Sequence, residues 1–112
     1  MEFSSKSFKI QSRVIQVSGP LNAESAPKLR EKIRKTFDQK PQAVIIRLAE
    51  VTVMDTAGVA ILVEAFQWSK DERILFMLAD PSRPARSALE VTRLGKFFMS
   101  SGGIDTALRE SS

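Results

Sequence analysis

The sequence predicts one α/β domain: a mixed, mostly parallel sheet of four to five strands with an antiparallel N-terminal edge, flanked by about four helices. Three observations carry this. Residues 43–48 and 74–79 are apolar runs, the first rich in β-branched side chains, which suits strands covered on both faces as in a parallel sheet. Segments of helical period separate the strand-like runs, giving the order β-β-α-β-α-β-α-β-α. The length, 112 residues, suffices for one real core but not two.

The elements follow in order. Residues 8–10 and 14–17 alternate at period two around Gln11-Ser12-Arg13, so they read as two short strands joined by a tight turn. Gly19-Pro20 is expected to stop the second strand. Ser25 stands where a helix cap belongs, and Pro27 falls in the first turn, where a missing N–H is tolerated. Leu29, Ile33 and Phe37 then form one apolar stripe, and Pro41 ends that helix. After the 43–48 strand come Val51-Thr52-Val53-Met54 and the loop Asp55-Thr56-Ala57-Gly58. Residues 59–68 are apolar nearly all round and read as a buried helix. The 74–79 strand is followed by Asp80-Pro81-Ser82, which turns the chain and caps a third helix running to about Thr92. Leu94-Gly95 closes it. Residues 97–99 form a last short strand, and Gly102-Gly103 precedes a short helix over 104–110. The crossovers are expected to be right-handed.

Composition narrows function. There are 17 Lys plus Arg against 13 Asp plus Glu, and no Cys, His or Tyr. Thiol nucleophiles, thiolate metal sites, Ser-His pairs and the commonest metal ligand are therefore absent from the sequence. Nothing near Asp55 and Thr56 supplies a base, an oxyanion hole or a metal cluster, so no enzyme, cofactor or metal site is expected. Met1–Phe8 lacks the apolar run of a secretory signal, and the longest apolar stretch, 74–79, falls far short of the ~20 residues a membrane span needs. The expectation is a soluble cytoplasmic protein. The basic excess concentrates in Lys28, Arg30, Lys32, Arg34, Lys35 and Lys40, against Glu31 and Asp38. Without interleaved aromatic residues this reads as the solvated face of an amphipathic helix, not a nucleic-acid surface.

The informative stretch is Met54-Asp55-Thr56-Ala57-Gly58, joining a strand to the N-terminus of the most apolar helix. A hydroxyl there lies among free backbone N–H groups at the positive end of a helix dipole, where a phosphate is well accommodated. Gly58 permits close backbone approach. The plainer reading makes Asp55 or Thr56 an ordinary N-cap.

Several segments resemble the STAS domain, the fold of bacterial anti-sigma factor antagonists. Val17-Ser18-Gly19-Pro20-Leu21-Asn22 resembles its strand-Gly-x-Leu-Asp loop. Ser25-Ala26 through Leu29 resembles the start of its first helix. Leu48 through Val59 resembles its most specific motif, Asp followed by two hydroxyl positions and Gly. Leu89 through Phe98 resembles its third helix and a Leu-x-x-x-Phe segment. The resemblance spans about residues 8–108 of a single domain, 1–112, and implies a STAS-type sandwich.

The resemblance further implies a cytoplasmic signalling protein in transcription regulation. Such an antagonist binds an anti-sigma factor that is itself a serine/threonine kinase of histidine-kinase-like ATPase fold, and so releases the sigma factor. Phosphorylation at the first hydroxyl after the Asp, here Thr56, switches it off, and a phosphatase resets it. Asn22, Ala23, Glu24, Asp55, Thr56, Ala57, Gly58 and Val59 would form the contact surface of a monomeric binding module. The sequence departs from the family pattern in using Thr as acceptor, Ala57 at the second hydroxyl position and Asn22 for the loop Asp. Other STAS roles are a subunit bracing the ATPase of a lipid-transport ABC system and a stressosome-type scaffold.

Overall fold

In a computed structural model of the chain, describing residues 2–7, 11–92, 94 and 98–99, five strands form one sheet in the order of the sequence. They are β1 (Glu2–Ser7), β2 (Ser12–Leu21), β3 (Ala43–Met54), β4 (Leu75–Ala79) and β5 (Phe98–Met99). β1 runs antiparallel to β2, and β2 through β5 are parallel. Between the parallel strands lie α1 (Ala26–Asp38), α2 (Thr56–Glu72) and α3 (Arg83–Leu89). The mixed sheet with an antiparallel N-terminal edge agrees with the sequence. Three helices lie among the described residues; the helix expected over 104–110 lies outside them.

The side chains of the central strands divide between the two sides of the pleat, and both sides are buried. Ile15, Val17, Val44, Ile46, Leu48, Phe76 and Leu78 share one core with Leu29, Ile33 and Phe37 of α1, Leu62 and Ala65 of α2, and Ala85 and Leu89 of α3. The stripe read from the sequence, Leu29-Ile33-Phe37, is fully buried. Val14, Ile45 and Met77, one residue out of step, belong to the opposite side of the pleat and are buried as well.

Several boundaries differ from the sequence reading. The first strand is Glu2–Ser7, a mostly polar segment, whereas residues 8–10 lie outside the described ones. An edge strand is held by backbone pairing and needs no apolar alternation. Ser12 and Arg13, expected in a turn, already belong to β2, with Arg13 paired to Ser7. Gly19-Pro20 does not stop β2, which continues to Leu21. Gly19 takes φ 88°, a left-handed conformation that favours glycine, and the register with β3 shifts there as in a β-bulge. Pro20 lies past the last β1 partner, Ser18, so its missing N–H costs no ladder bond on that side. Residues 43–54 form one strand, not two segments. α2 starts three residues earlier than expected and runs four further, while α3 stops at Leu89, short of Thr92.

The helix expected to be buried is not buried all round. Gly58, Leu62, Ala65 and Ser69 are inside, but Ala60 and Val63 face solvent. Its all-round apolarity therefore does not come from core packing alone.

The basic run on α1 is largely neutralised within the protein. Arg30 pairs with Glu64, Arg34 with Asp38 and Glu72, Lys35 with Glu31, and Lys40 with Glu72. Lys28 and Lys32 have no acidic partner among the described residues. The guanidinium of Arg34 lies 4.7 Å from the centre of the Trp68 ring, which also meets Phe37 edge-on at 6.0 Å. Trp68 thus packs the α1–α2 contact.

Glu72 sits at the centre of this network with its side chain 19% exposed. Burial disfavours its charge, but hydrogen bonds from Arg34 and Lys40 outweigh that and hold its carboxyl below the ordinary value. A lowered folded-state value means the ion pairs stabilise above the unfolded carboxyl's range and lose that contribution as pH falls through the folded one. Glu72→Gln is expected to cost about 1 kcal/mol at pH 7. The gap between the wild-type and variant thermal midpoints should close once the pH drops well below the usual value of about 4.3. Thermal unfolding at a series of pH values measures both.

Candidate functional site

The site forms where the parallel strands β2 and β3 end side by side. Leu21 and Met54 are register partners, so the loops that follow them, 22–25 and 55, emerge next to each other. This is the carboxyl end of parallel strands, where open α/β sheets place their sites. Two interactions lock the loops together. Asp55 N–H donates to the carbonyl of Leu21 at 3.1 Å. Gly58 packs so tightly on Leu21 that a Cβ added there would lie 2.6 Å from Leu21 Cγ and 3.0 Å from its carbonyl oxygen.

The first loop is built by Asn22. Its Oδ1 accepts from the N–H groups of Glu24 and Ser25 at 3.0 and 3.1 Å, an Asx turn leading into α1. Ser25, expected to cap α1 with its hydroxyl, makes no such bond. Instead Ser25 Oγ donates to the carbonyl of Pro20 at 2.8 Å and accepts from Asn22 N–H at 3.0 Å. The reason is its backbone, already helical at φ −91°, ψ −24°, so the hydroxyl turns back toward the end of β2. Asn22 is half-buried, while Ala23 and Glu24 are exposed at the loop tip.

The second loop resolves the two readings of Asp55 and Thr56. Asp55 is the N-cap: its backbone is extended and its Oδ1 accepts from Ala57 N–H at 2.9 Å and Gly58 N–H at 3.3 Å. Thr56 is consequently the first residue of the helix, exposed, and its hydroxyl is not used as the cap. Ala57 and Val59 are half-buried behind it, and Gly58 is buried. The hydroxyl thus lies at the positive end of a 17-residue helix whose capping acceptor is the neighbouring carboxylate. Replacing Asp55 by alanine should destabilise the fold by about 1 kcal/mol through loss of the cap, and urea unfolding would show this as a lower midpoint with an unchanged slope.

The structure brings Asn22, Ala23, Glu24, Asp55 and Thr56 to one end of the sheet and sets Gly58 beneath them as a spacer. It adds two residues that position the loops, Leu21 and Ser25. For Leu21 the available sequence signal was its place in the Gly-x-Leu-Asp resemblance; its contact with Gly58 depends on strand order. No group of three His, Cys, Asp or Glu side chains among the described residues could hold a metal ion. No helix among them is long and apolar enough to cross a membrane.

With this geometry established, comparison with known proteins identifies the family. The sequence model of the STAS domain matches residues 6–110. The chain belongs to the STAS domain family. No curated protein sequence matches it significantly. Among solved structures, the anti-sigma factor antagonist SpoIIAA in its unphosphorylated form shares 20% identity with a TM-score of 0.82, covering 98% of this chain and 96% of that one. The phosphorylated form of Bacillus SpoIIAA shares 21% identity at a TM-score of 0.77, covering 95% of this chain and 99% of that one. An anti-sigma factor antagonist from Mycobacterium paratuberculosis shares 25% identity at a TM-score of 0.82, covering 96% of this STAS chain and 93% of its own.

Proposed function

We propose that this STAS domain is an anti-sigma factor antagonist, a binding protein without catalysis of its own, switched by phosphorylation of Thr56. The single observation that carries the reading is the division of labour at the start of α2. Asp55 caps the helix, so the Thr56 hydroxyl is left exposed at its first position, beside the Asn22 loop. A relative of the same fold, SpoIIAA, exists in phosphorylated and unphosphorylated forms, which supports a switch of this kind.

The partner in this reading is an anti-sigma factor of ATPase fold that is also the kinase. Thr56 Oγ1 attacks the terminal phosphorus of ATP held by that partner; the hydroxyl proton passes to a base of the kinase, and ADP leaves. This chain contributes the acceptor and its presentation. Asn22, at the family's Asp position, spends its carbonyl oxygen on two backbone N–H groups, so the loop keeps its shape without a formal charge. The unmodified surface binds the anti-sigma factor and frees the sigma factor. The phosphorylated surface carries about −1.5 to −2 charges and does not bind. A phosphatase restores the first state.

The test is a phosphorylation assay. The anti-sigma factor is isolated from native extract on this chain as bait, identified by mass spectrometry, produced pure and mixed with the chain and ATP. One phosphate on Thr56 is expected, and none on Thr56→Ala. Phosphate retained by Thr56→Ala would overturn the site. Recovery of an ABC ATPase with its permease in place of an anti-sigma factor would overturn the function.

A further inference from the structure

We propose that the outer face of α2 is a docking seam for an amphipathic helix of the anti-sigma factor, running from Thr56 at one end to Lys70 at the other. This rests on the antagonist reading above and adds where the partner lies and what chemistry it presents.

The exposed residues of α2 are Thr56, Ala60, Val63, Gln67, Lys70 and Asp71. The first five recur at alternating intervals of four and three and so form one continuous stripe along the helix. A helix face meant for water is normally charged, but here the centre is Ala60, Val63 and Gln67, with Val63 43% exposed. Beside this stripe a groove of about 240 Å³ is lined by Val63, Phe66, Gln67, Thr92 and Leu94. Its walls are mainly apolar, with an amide and a hydroxyl among them. Val91, next to Thr92, is 90% exposed. The groove therefore suits an apolar side chain projecting from a helix laid on the seam.

Charge sets the polarity of the occupant. The Lys70 ammonium lies 5.3 Å from the centre of the Phe66 ring, at the groove wall, and has no carboxylate partner among the described residues. On α1, Arg30, Arg34 and Lys35 each hold a carboxylate while Lys28 and Lys32 do not, so what sets Lys70 apart is its place at the groove wall. The partner helix should offer a carboxylate to Lys70, an apolar residue to the groove and a small uncharged contact to Thr56. The seam is about 21 Å long at 1.5 Å per residue, which four turns of a partner helix span. Because it begins at Thr56, a phosphate there sits inside the same interface.

The experiment places a photo-cross-linking benzophenone residue in the full chain at Ala60, Val63 or Gln67, with Leu75 as control. Leu75 is also apolar and 47% exposed, but it belongs to the side of the sheet opposite Phe76, whose ring packs on Phe66 of α2. Irradiation in native cells should attach the same anti-sigma factor at the first three positions, through a segment of helical apolar period, and nothing at Leu75. With the purified partner, Val63→Glu should weaken binding at least about tenfold, and Lys70→Glu about three- to tenfold, with thermal midpoints within a few degrees of wild type. If Ala60 attaches the partner but Val63 and Gln67 do not, the seam is refuted while the antagonist reading stands. Attachment of a second copy of this chain at Val63 also refutes it, because the seam is then a self-interface. If no position attaches an anti-sigma factor, and none is retained by the unmodified chain, the antagonist reading falls and takes the seam with it.

Discussion

Replacing Gly58 by alanine is expected to lower the thermal midpoint by about 5–10 °C. In most helices this substitution stabilises, because alanine gains about 0.5–1 kcal/mol over glycine in helix propensity. Here the added Cβ would lie 2.6 Å from Leu21 Cγ and 3.0 Å from the Leu21 carbonyl oxygen. Leu21 is fully buried, so its side chain has no open space to move into, and the carbonyl belongs to the backbone at the end of β2. Overpacking of this kind costs about 1–3 kcal/mol, which outweighs the propensity gain and leaves a net loss of about 1–2 kcal/mol. Each kcal/mol is about 4–8 °C in a domain near this size. The displaced carbonyl is also the acceptor for Asp55 N–H, so relief of the clash pushes the two loops apart. Partner binding should therefore weaken more than the stability loss alone explains. An unchanged or raised midpoint by circular dichroism would mean that Leu21 yields without cost and that Gly58 does not set the loop spacing.

The same contact shows what was and was not legible in the sequence. The strands β3 and β4 were plain because their apolar, β-branched runs have few other places to go. The α1 stripe was plain because Leu29, Ile33 and Phe37 repeat at helical spacing. β1 was missed because Glu2–Ser7 is polar and is held by backbone pairing, which leaves no pattern in side-chain hydropathy. Gly19-Pro20 was misread because a stop signal and a bulge use the same residues; the φ of Gly19 and the end of β1 at its Ser18 partner decide between them. At the site, the cap residue type and the hydroxyl were visible in Asp55-Thr56, but which of them capped depended on backbone angles. That the Asn22 loop lies beside Thr56 required the parallel pairing of Leu21 with Met54, a fact of sheet order that a linear pattern does not hold. The exposed stripe on α2 was present in the sequence as apolarity all round the helix. Read alone, it pointed to a buried helix, because hydropathy does not distinguish a face covered by the protein's own core from one held for a partner.

Thr56→Glu is expected to abolish partner binding while leaving the fold intact. Within the domain the new carboxylate enters the first turn of α2, where the helix dipole favours negative charge by about 0.3–1 kcal/mol. The Asp55 carboxylate next to it offsets part of that gain. The thermal midpoint should therefore stay within about 2–3 °C of the wild type. Across the interface the balance reverses. A surface shaped for a neutral hydroxyl has no cation waiting for the charge, and an unpaired charge buried at an interface costs about 2–5 kcal/mol. At tenfold per 1.4 kcal/mol this amounts to roughly 30- to 3,000-fold in affinity. Thr56→Ser keeps the hydroxyl and should bind within about threefold of the wild type, since a single lost methyl at a partly exposed position is worth less than 1 kcal/mol. Titration calorimetry on the three proteins, with their thermal midpoints measured in parallel, separates the outcomes. Loss of binding together with a collapsed midpoint would make Thr56 a structural residue. Undiminished binding by Thr56→Glu would remove charge at this position as the switch. Loss of binding at an unchanged midpoint would show that one negative charge at position 56, without any change of fold, is enough to release the partner.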